Sequence, residues 1–170
     1  MPRVRDYRLY SFSQPRMDTC GRFIGRQMFW KLYVIENTLR IVIHSVLSVQ
    51  LGQNWLAQSL SPKKLNDLQN FRSSYTASPN HASPGSHDIY LAFLSDLTRI
   101  VARHSGLFLP IIPDINQWIV SLERIRLSRN IVGHMNFPNA YDRQQIDTVH
   151  ANIRNLLQQL ASQGVPILVP

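Results

Sequence analysis

The sequence predicts an all-α fold, an up-and-down bundle of four to five helices, from three observations. Apolar residues recur at helical steps over several separate stretches. No stretch alternates strictly between apolar and polar residues within strand boundaries. Proline, glycine and serine clusters punctuate the chain between the periodic stretches. A length of 170 residues with 44% apolar side chains suits one domain with a buried core.

Residues 1–27 read as a basic arm. Arg3, Arg5, Arg8, Arg16, Arg22 and Arg26 stand against only Asp6 and Asp18, with Pro2, Pro15, Gly21 and Gly25 interspersed and no clear helical period. The helical domain is expected over 28–163. Its first helix spans Met28 to Leu51, with Trp30, Val34, Leu39, Val42, Val46 and Val49 as one stripe. Ile35, Ile41, Ile43 and Leu47 widen that stripe, which suits a central helix or an interface. Glu36 and Arg40 form an i,i+4 pair on its polar side, and Gly52 ends it.

Ser61-Pro62 reads as an N-cap and a first-turn proline, opening a short helix through Leu65, Leu68 and Phe71. Residues 73–87 read as an exposed loop. A helix over 88–104, capped by Asp88, turns Ile89, Phe93, Leu94, Leu97, Ile100 and Val101 inward. The next opens at Pro113-Asp114, carries Ile115, Trp118, Ile119, Leu122, Ile125 and Ile131, and stops at Asn136–Asn139. A last helix from Tyr141 to about Ser162 buries Ile146, Val149, Ile153, Leu156, Leu157 and Leu160, leaving 164–170 as a tail.

The formal charge of +8 points to an anionic partner. The lone Cys20 excludes an internal disulfide. No run of about 18 consecutive apolar residues is present, and no apolar leader follows the first arginines, so the expectation is a cytoplasmic protein with no membrane partner. Glycine-rich phosphate loops, paired-cysteine metal motifs and serine-nucleophile elbows are missing. The ten acidic residues form no cluster suited to two metals, and His81 and His87 lack a third ligand by spacing, so no metal or cofactor is expected.

The informative segment is Leu122–Pro138, where Arg124, Arg126 and Arg129 precede Asn130, His134 and a helix stop. Arg126, Asn130 and His134 follow at i,i+4 steps and share a stripe, with Arg129 beside it. Arg129-Asn130-x-x-x-His134, in the setting IRLSRNIVGH, resembles the R-x4–6-H motif of HEPN domains, with a polar residue after the arginine. Arg99–His104 and Arg143–His150 share the spacing but lack the polar follower and the helix stop together. Glu36-Asn37-x-Leu39-Arg40 and then Trp55 is similar to one branch of the same superfamily.

The resemblance implies an all-α bundle that works as a homodimer and cuts RNA without a metal. Toxins and antiviral-defence proteins are common in that superfamily, and a toxin implies a separately encoded antitoxin or defence partner. The ribose 2′-hydroxyl attacks the adjacent phosphorus, leaving a 2′,3′-cyclic phosphate and a 5′-hydroxyl. His134 is the expected acid/base, since histidine changes protonation near neutral pH. Arg129 is expected to bind the scissile phosphate and Asn130 to orient His134 or a phosphate oxygen. Arg126, Arg124, Lys63 and Lys64 are expected to attract the RNA backbone. The alternative is a non-catalytic HEPN-like module that binds RNA or protein. A helical DNA-binding regulator is disfavoured, because no recognition helix is evident. Residues five apart on a helix lie about 140° apart, so Arg129 and His134 converge only if the last turn unwinds at Gly133 or if two subunits contribute.

Overall fold

The computed structural model describes residues 4–170, and every regular element among them is helical. Helix α1 (Gln14–Ile24) runs through a π turn (Gly25–Phe29) into α2 (Trp30–Leu51) without a break. The irregular arm expected over 1–27 is therefore helical from Gln14 onward, and Arg3 lies outside the described residues. Pro15 sits in the first turn, where its missing N–H costs nothing. Cys20, Ile24, Met28 and Leu32 then fall four residues apart and are all buried. One apolar residue per turn is enough here because the polar remainder faces water. The Cys20 thiol donates to the Arg5 carbonyl at 3.1 Å, which makes it a packed core group. Before α1, a short 3-10 turn (Tyr7–Leu9) is capped by Asp6.

By length and composition the helix Gln14–Leu51 is apolar enough to cross a membrane, but half of its most apolar window is buried inside the protein. In α2 the burial extends over most sides: Ile35, Leu39, Val42, Ile43, Val46 and Leu47 are enclosed together with Ser45. The expected stripe was displaced at its ends, since Trp30 and Val49 are exposed.

Helix α3 (Trp55–Ser59) and α4 (Pro62–Thr76) follow. Ser61 caps α4 through the Lys64 N–H. The helix continues past the predicted loop boundary to Thr76, where Ser73, Ser74 and Thr76 turn their hydroxyls back onto carbonyls of the preceding turn. A 3-10 turn (Asp88–Leu91) then precedes α5 (Leu94–Arg103). Asp88 is not the cap of this helix. Its carboxylate pairs with Arg72, while Asp96 accepts the Phe93 N–H at 3.0 Å and sets the helix start. Phe93 thereby lies in the junction and is exposed, contrary to the inward place expected for it.

Helix α6 (Ser105–Phe108), α7 (Ile115–Gly133), α8 (Ala140–Ile153) and α9 (Leu156–Ser162) complete the chain. The single last helix of the sequence reading is thus interrupted between α8 and α9. A reciprocal capping box of Asn139 and Asp142 opens α8. The C-terminal tail is tied down: the Leu168 N–H donates to Ser45 Oγ at 2.8 Å, and the same hydroxyl donates to the Leu168 carbonyl. This satisfies a polar group in the middle of the core helix.

Helices α2, α5, α7 and α8 form a ring in which α2 and α7 each pack on both α5 and α8. Leu122, Ile125 and Val132 of α7 meet Ile146, Val149 and Ile153 of α8 in one continuous core. In α7, Val132 takes the inward place expected for Ile131, which is exposed. The Ile43 side chain is fully enclosed, whereas Val49 is 52% exposed. Ile43→Ala is expected to cost about 2–5 kcal/mol in urea unfolding. Val49→Ala is expected to stay within about 0.5 kcal/mol. Equal effects at the two positions would contradict this core.

Candidate functional site

The end of α7 positions the motif. Ser128 Oγ donates to Asp142 at 2.9 Å and clamps this turn to α8. The His134 N–H reaches the Asn130 carbonyl, so His134 still closes a helical turn. Met135 then reverses the chain at φ 59°, with its N–H on Val132 O and the Asn136 N–H on Ile131 O. This is the six-to-one closure of a Schellman cap, built on methionine where glycine is the usual occupant. Unwinding at Gly133, one of the two routes by which the pair could converge, does not occur, and the left-handed residue lies two positions later. Helical geometry then places His134 on the side of Leu127 and Ile131, about 140° from Arg129.

Gly133 has a different role. The guanidinium of Arg129 folds back along the helix against it, with Nη1 3.4 Å from where a β-carbon at Gly133 would sit, an ordinary contact distance. The Arg129 Nε donates to Glu36 Oε1 of α2 at 3.0 Å. The other oxygen of Glu36 accepts from Arg40 at 3.2 Å. One carboxylate therefore holds two guanidiniums and bridges α2 to α7. Arg40 also donates to the Ile89 and Ala92 carbonyls and to Asn37, fastening the 3-10 turn to α2. Burial draws the Arg40 guanidinium below its usual range, and the adjacent Glu36 charge opposes that shift. Arg129 has its Nε committed to Glu36, while the terminal nitrogens make no further hydrogen bond among the described residues, and its side chain lines the groove at 29% exposure.

Two cavities of about 230 and 260 Å³ meet at this triad, and both are lined by Glu36, Arg40 and Arg129. One extends to Phe29, Tyr33 and Gly133, the other to Phe71, Tyr75, Tyr90 and Phe93. Tyr90 lies against Gly85, where a β-carbon would collide with its ring.

The remaining predicted residues are scattered. His134 is exposed, and Asn130 is half-buried beside it with its carbonyl in the helix cap. Arg126 is exposed and pairs with Glu123 at 3.4 Å. Arg124 and Lys63 are exposed. Lys64 is paired with the buried Asp96 at 2.8 Å and covers the Phe93 ring, so its charge is largely spent inside the protein. The two competing motif matches are occupied: His104 bonds Ser59, and the buried His150 meets Trp30 edge-on. Arg143 donates to the Pro138 carbonyl and faces Phe23.

Sequence reasoning read Glu36 and Arg40 as a surface pair and missed that Arg129 completes it. The signal was present in the unbalanced arginine of α7, which needs a carboxylate if it is to turn inward. The aromatic lining was also missed. His87, expected in an exposed loop, stacks on the buried Trp55 and accepts the Ile89 N–H, while the Trp55 indole donates to His44.

Compared with protein families, curated proteins and solved structures, the chain has no match. What defines it is a basic all-helical architecture with an arginine–carboxylate–arginine groove, and an exposed histidine at the end of α7 on another side of that helix.

Burial pushes the imidazoles of His44, His87, His104 and His150 below their ordinary value of 6.5. The unfolded chain therefore binds more protons just below that value. The stability they contribute is complete above about pH 6.5 and is lost as pH falls toward the folded-state values. The urea midpoint is expected to be level from about pH 8 to 7 and to decline toward about pH 5, with His44→Gln reducing the decline. A flat profile would contradict the buried neutral imidazoles.

Proposed function

We propose that the protein is a metal-independent endoribonuclease of the HEPN type, with Arg129 and His134 as its catalytic pair. The observation that carries this reading is Arg129. Its Nε is fixed by Glu36 while its terminal nitrogens stay open, one turn before an exposed histidine at a helix end. Fixing one edge of a guanidinium and leaving the other free preorganises it for a phosphate oxygen.

The substrate 2′-oxygen attacks phosphorus as a base removes its proton, the bond to the 5′-oxygen breaks, and an acid protonates that oxygen. No water or metal enters this step. His134 supplies proton transfer, Arg129 stabilises the phosphorane charge, and Asn130 orients the imidazole. DNA lacks the attacking group and is not a substrate by this route.

Because α7 keeps its helical turn to the end, one subunit does not aim both groups at one point. The composite site is formed by two copies. Val120, Leu127 and Ile131 make an exposed apolar stripe on α7, and helical geometry puts His134 on that side. Packing of this stripe on its mate across a two-fold axis carries each His134 to the partner. This fits a cytoplasmic toxin or defence component held in check by a separate partner.

A second reading is favoured by the same ion pair: Arg129 serves as a strut between α2 and α7 in a non-catalytic RNA- or protein-binding module. The ends of RNA products separate the two. The nuclease yields 2′,3′-cyclic phosphate and 5′-hydroxyl ends, and EDTA leaves the rate unchanged. His134→Ala is expected to slow cleavage by about 10²–10⁴, and Arg129→Ala by about 10²–10³. Cleavage that survives His134→Ala, or that EDTA abolishes, overturns the mechanism. Leu127→Glu with Ile131→Glu is expected to give a folded monomer in light scattering that no longer cuts RNA. A monomeric wild type, or an active monomeric variant, overturns the composite site.

A further inference from the structure

The aromatic residues around the triad are not accounted for by the catalytic pair. We infer that the groove carries two base-stacking subsites, one at Tyr33 with Phe29 and one at Tyr75 with Phe71, flanking the phosphate position at Arg129. The inference rests on the RNA reading above and adds the residues that hold the nucleotides on each side.

The argument is one of placement. Two cavities share Glu36, Arg40 and Arg129 and diverge from them. Each ends in aromatic rings that the core leaves outside: Tyr33 is 72% exposed, Tyr75 44%, Phe71 42% and Phe29 37%. Tyr33 lies one α2 turn before Glu36 and Asn37, and Phe29 one turn further, so both follow the groove. On the other side Phe71 meets Phe93 edge-on at 6.1 Å, which holds its ring upright. Exposed rings on both sides of the partly exposed Arg129 guanidinium match a polyanion whose units alternate charge with flat apolar faces. Base stacking on such rings is worth about 1–3 kcal/mol per base and tolerates sequence changes.

Paired bases have no free face, so the occupant is a single strand. An apolar peptide would use the rings but not the free nitrogens of Arg129. The chain's +8 charge likewise favours nucleic acid over a cationic or neutral peptide.

The test uses the wild-type chain and a fluorescein-labelled, 2′-O-methylated oligouridylate, which binds but has no hydroxyl with which to react. Binding is followed by anisotropy over a salt series. Tyr33→Ala and Tyr75→Ala are each expected to weaken binding by about 5- to 100-fold. Tyr33→Phe and Tyr75→Phe keep it, because the ring face remains. The salt slope stays unchanged in all four, since no charge is removed, while Arg129→Ala lowers the slope by about 0.7. A duplex of the same length competes poorly. The inference is overturned if both alanine variants bind as wild type, if the phenylalanine variants lose as much as the alanine ones, or if the duplex competes equally. Cleavage of unmodified RNA is measured alongside. Tyrosine-dependent binding without cleavage removes the nuclease reading and keeps the subsites. Cleavage with no tyrosine dependence does the reverse.

Discussion

The carboxylate of Glu36 is the constraint on which the rest of this structure turns. It stands between two guanidiniums that would repel each other without it, and it joins the two helices that lie opposite across the ring. Arg40 spends almost all its donors on Glu36, Asn37 and the 3-10 turn before α5. Arg129 spends one. The same bridge therefore encloses one cation and leaves the other partly exposed in the groove. Partial burial makes this directional, since a guanidinium away from bulk water keeps the geometry its partner imposes.

The closing turn of α7 adds a second constraint. Methionine at a left-handed position is disfavoured relative to glycine, yet the reversal at Met135 satisfies two helix-end carbonyls and keeps His134 at the surface. Gly133, which could have let the last turn unwind, is regular in backbone, and the Arg129 guanidinium lies against it. Motif spacing and motif convergence are thus separate properties. The spacing is read along the chain, while convergence is decided by three-dimensional geometry, and the regular end of α7 keeps the two side chains apart.

Most helices were legible because their signals are local. Proline at the start of α4, the serine before it, Gly52 after α2 and the Asn139–Asp142 pair at α8 act through neighbours within a turn. The misreadings share a cause. Helix α1 with the π turn after it has one buried apolar residue per turn and two glycines, so its period is faint, and it is helical because the core accepts Cys20, Ile24 and Met28. Asp88 looked like a cap but met Arg72, sixteen residues earlier in the chain. Ile131 and Val132 are equal in apolarity, and only the angle at which α7 meets α8 decides which is enclosed.

By itself the sequence determined an all-helical chain, its strong positive charge, the order of its principal helices and the arginine–histidine spacing at the end of α7, because each follows from residue type and near-neighbour periodicity. The tertiary structure decided which arginine is free. Glu36 lies ninety-three positions before Arg129, and no local rule pairs residues so far apart. It likewise decided that six aromatic residues from three separate stretches of the chain line two adjoining cavities, an outcome of packing geometry to which helical period is blind.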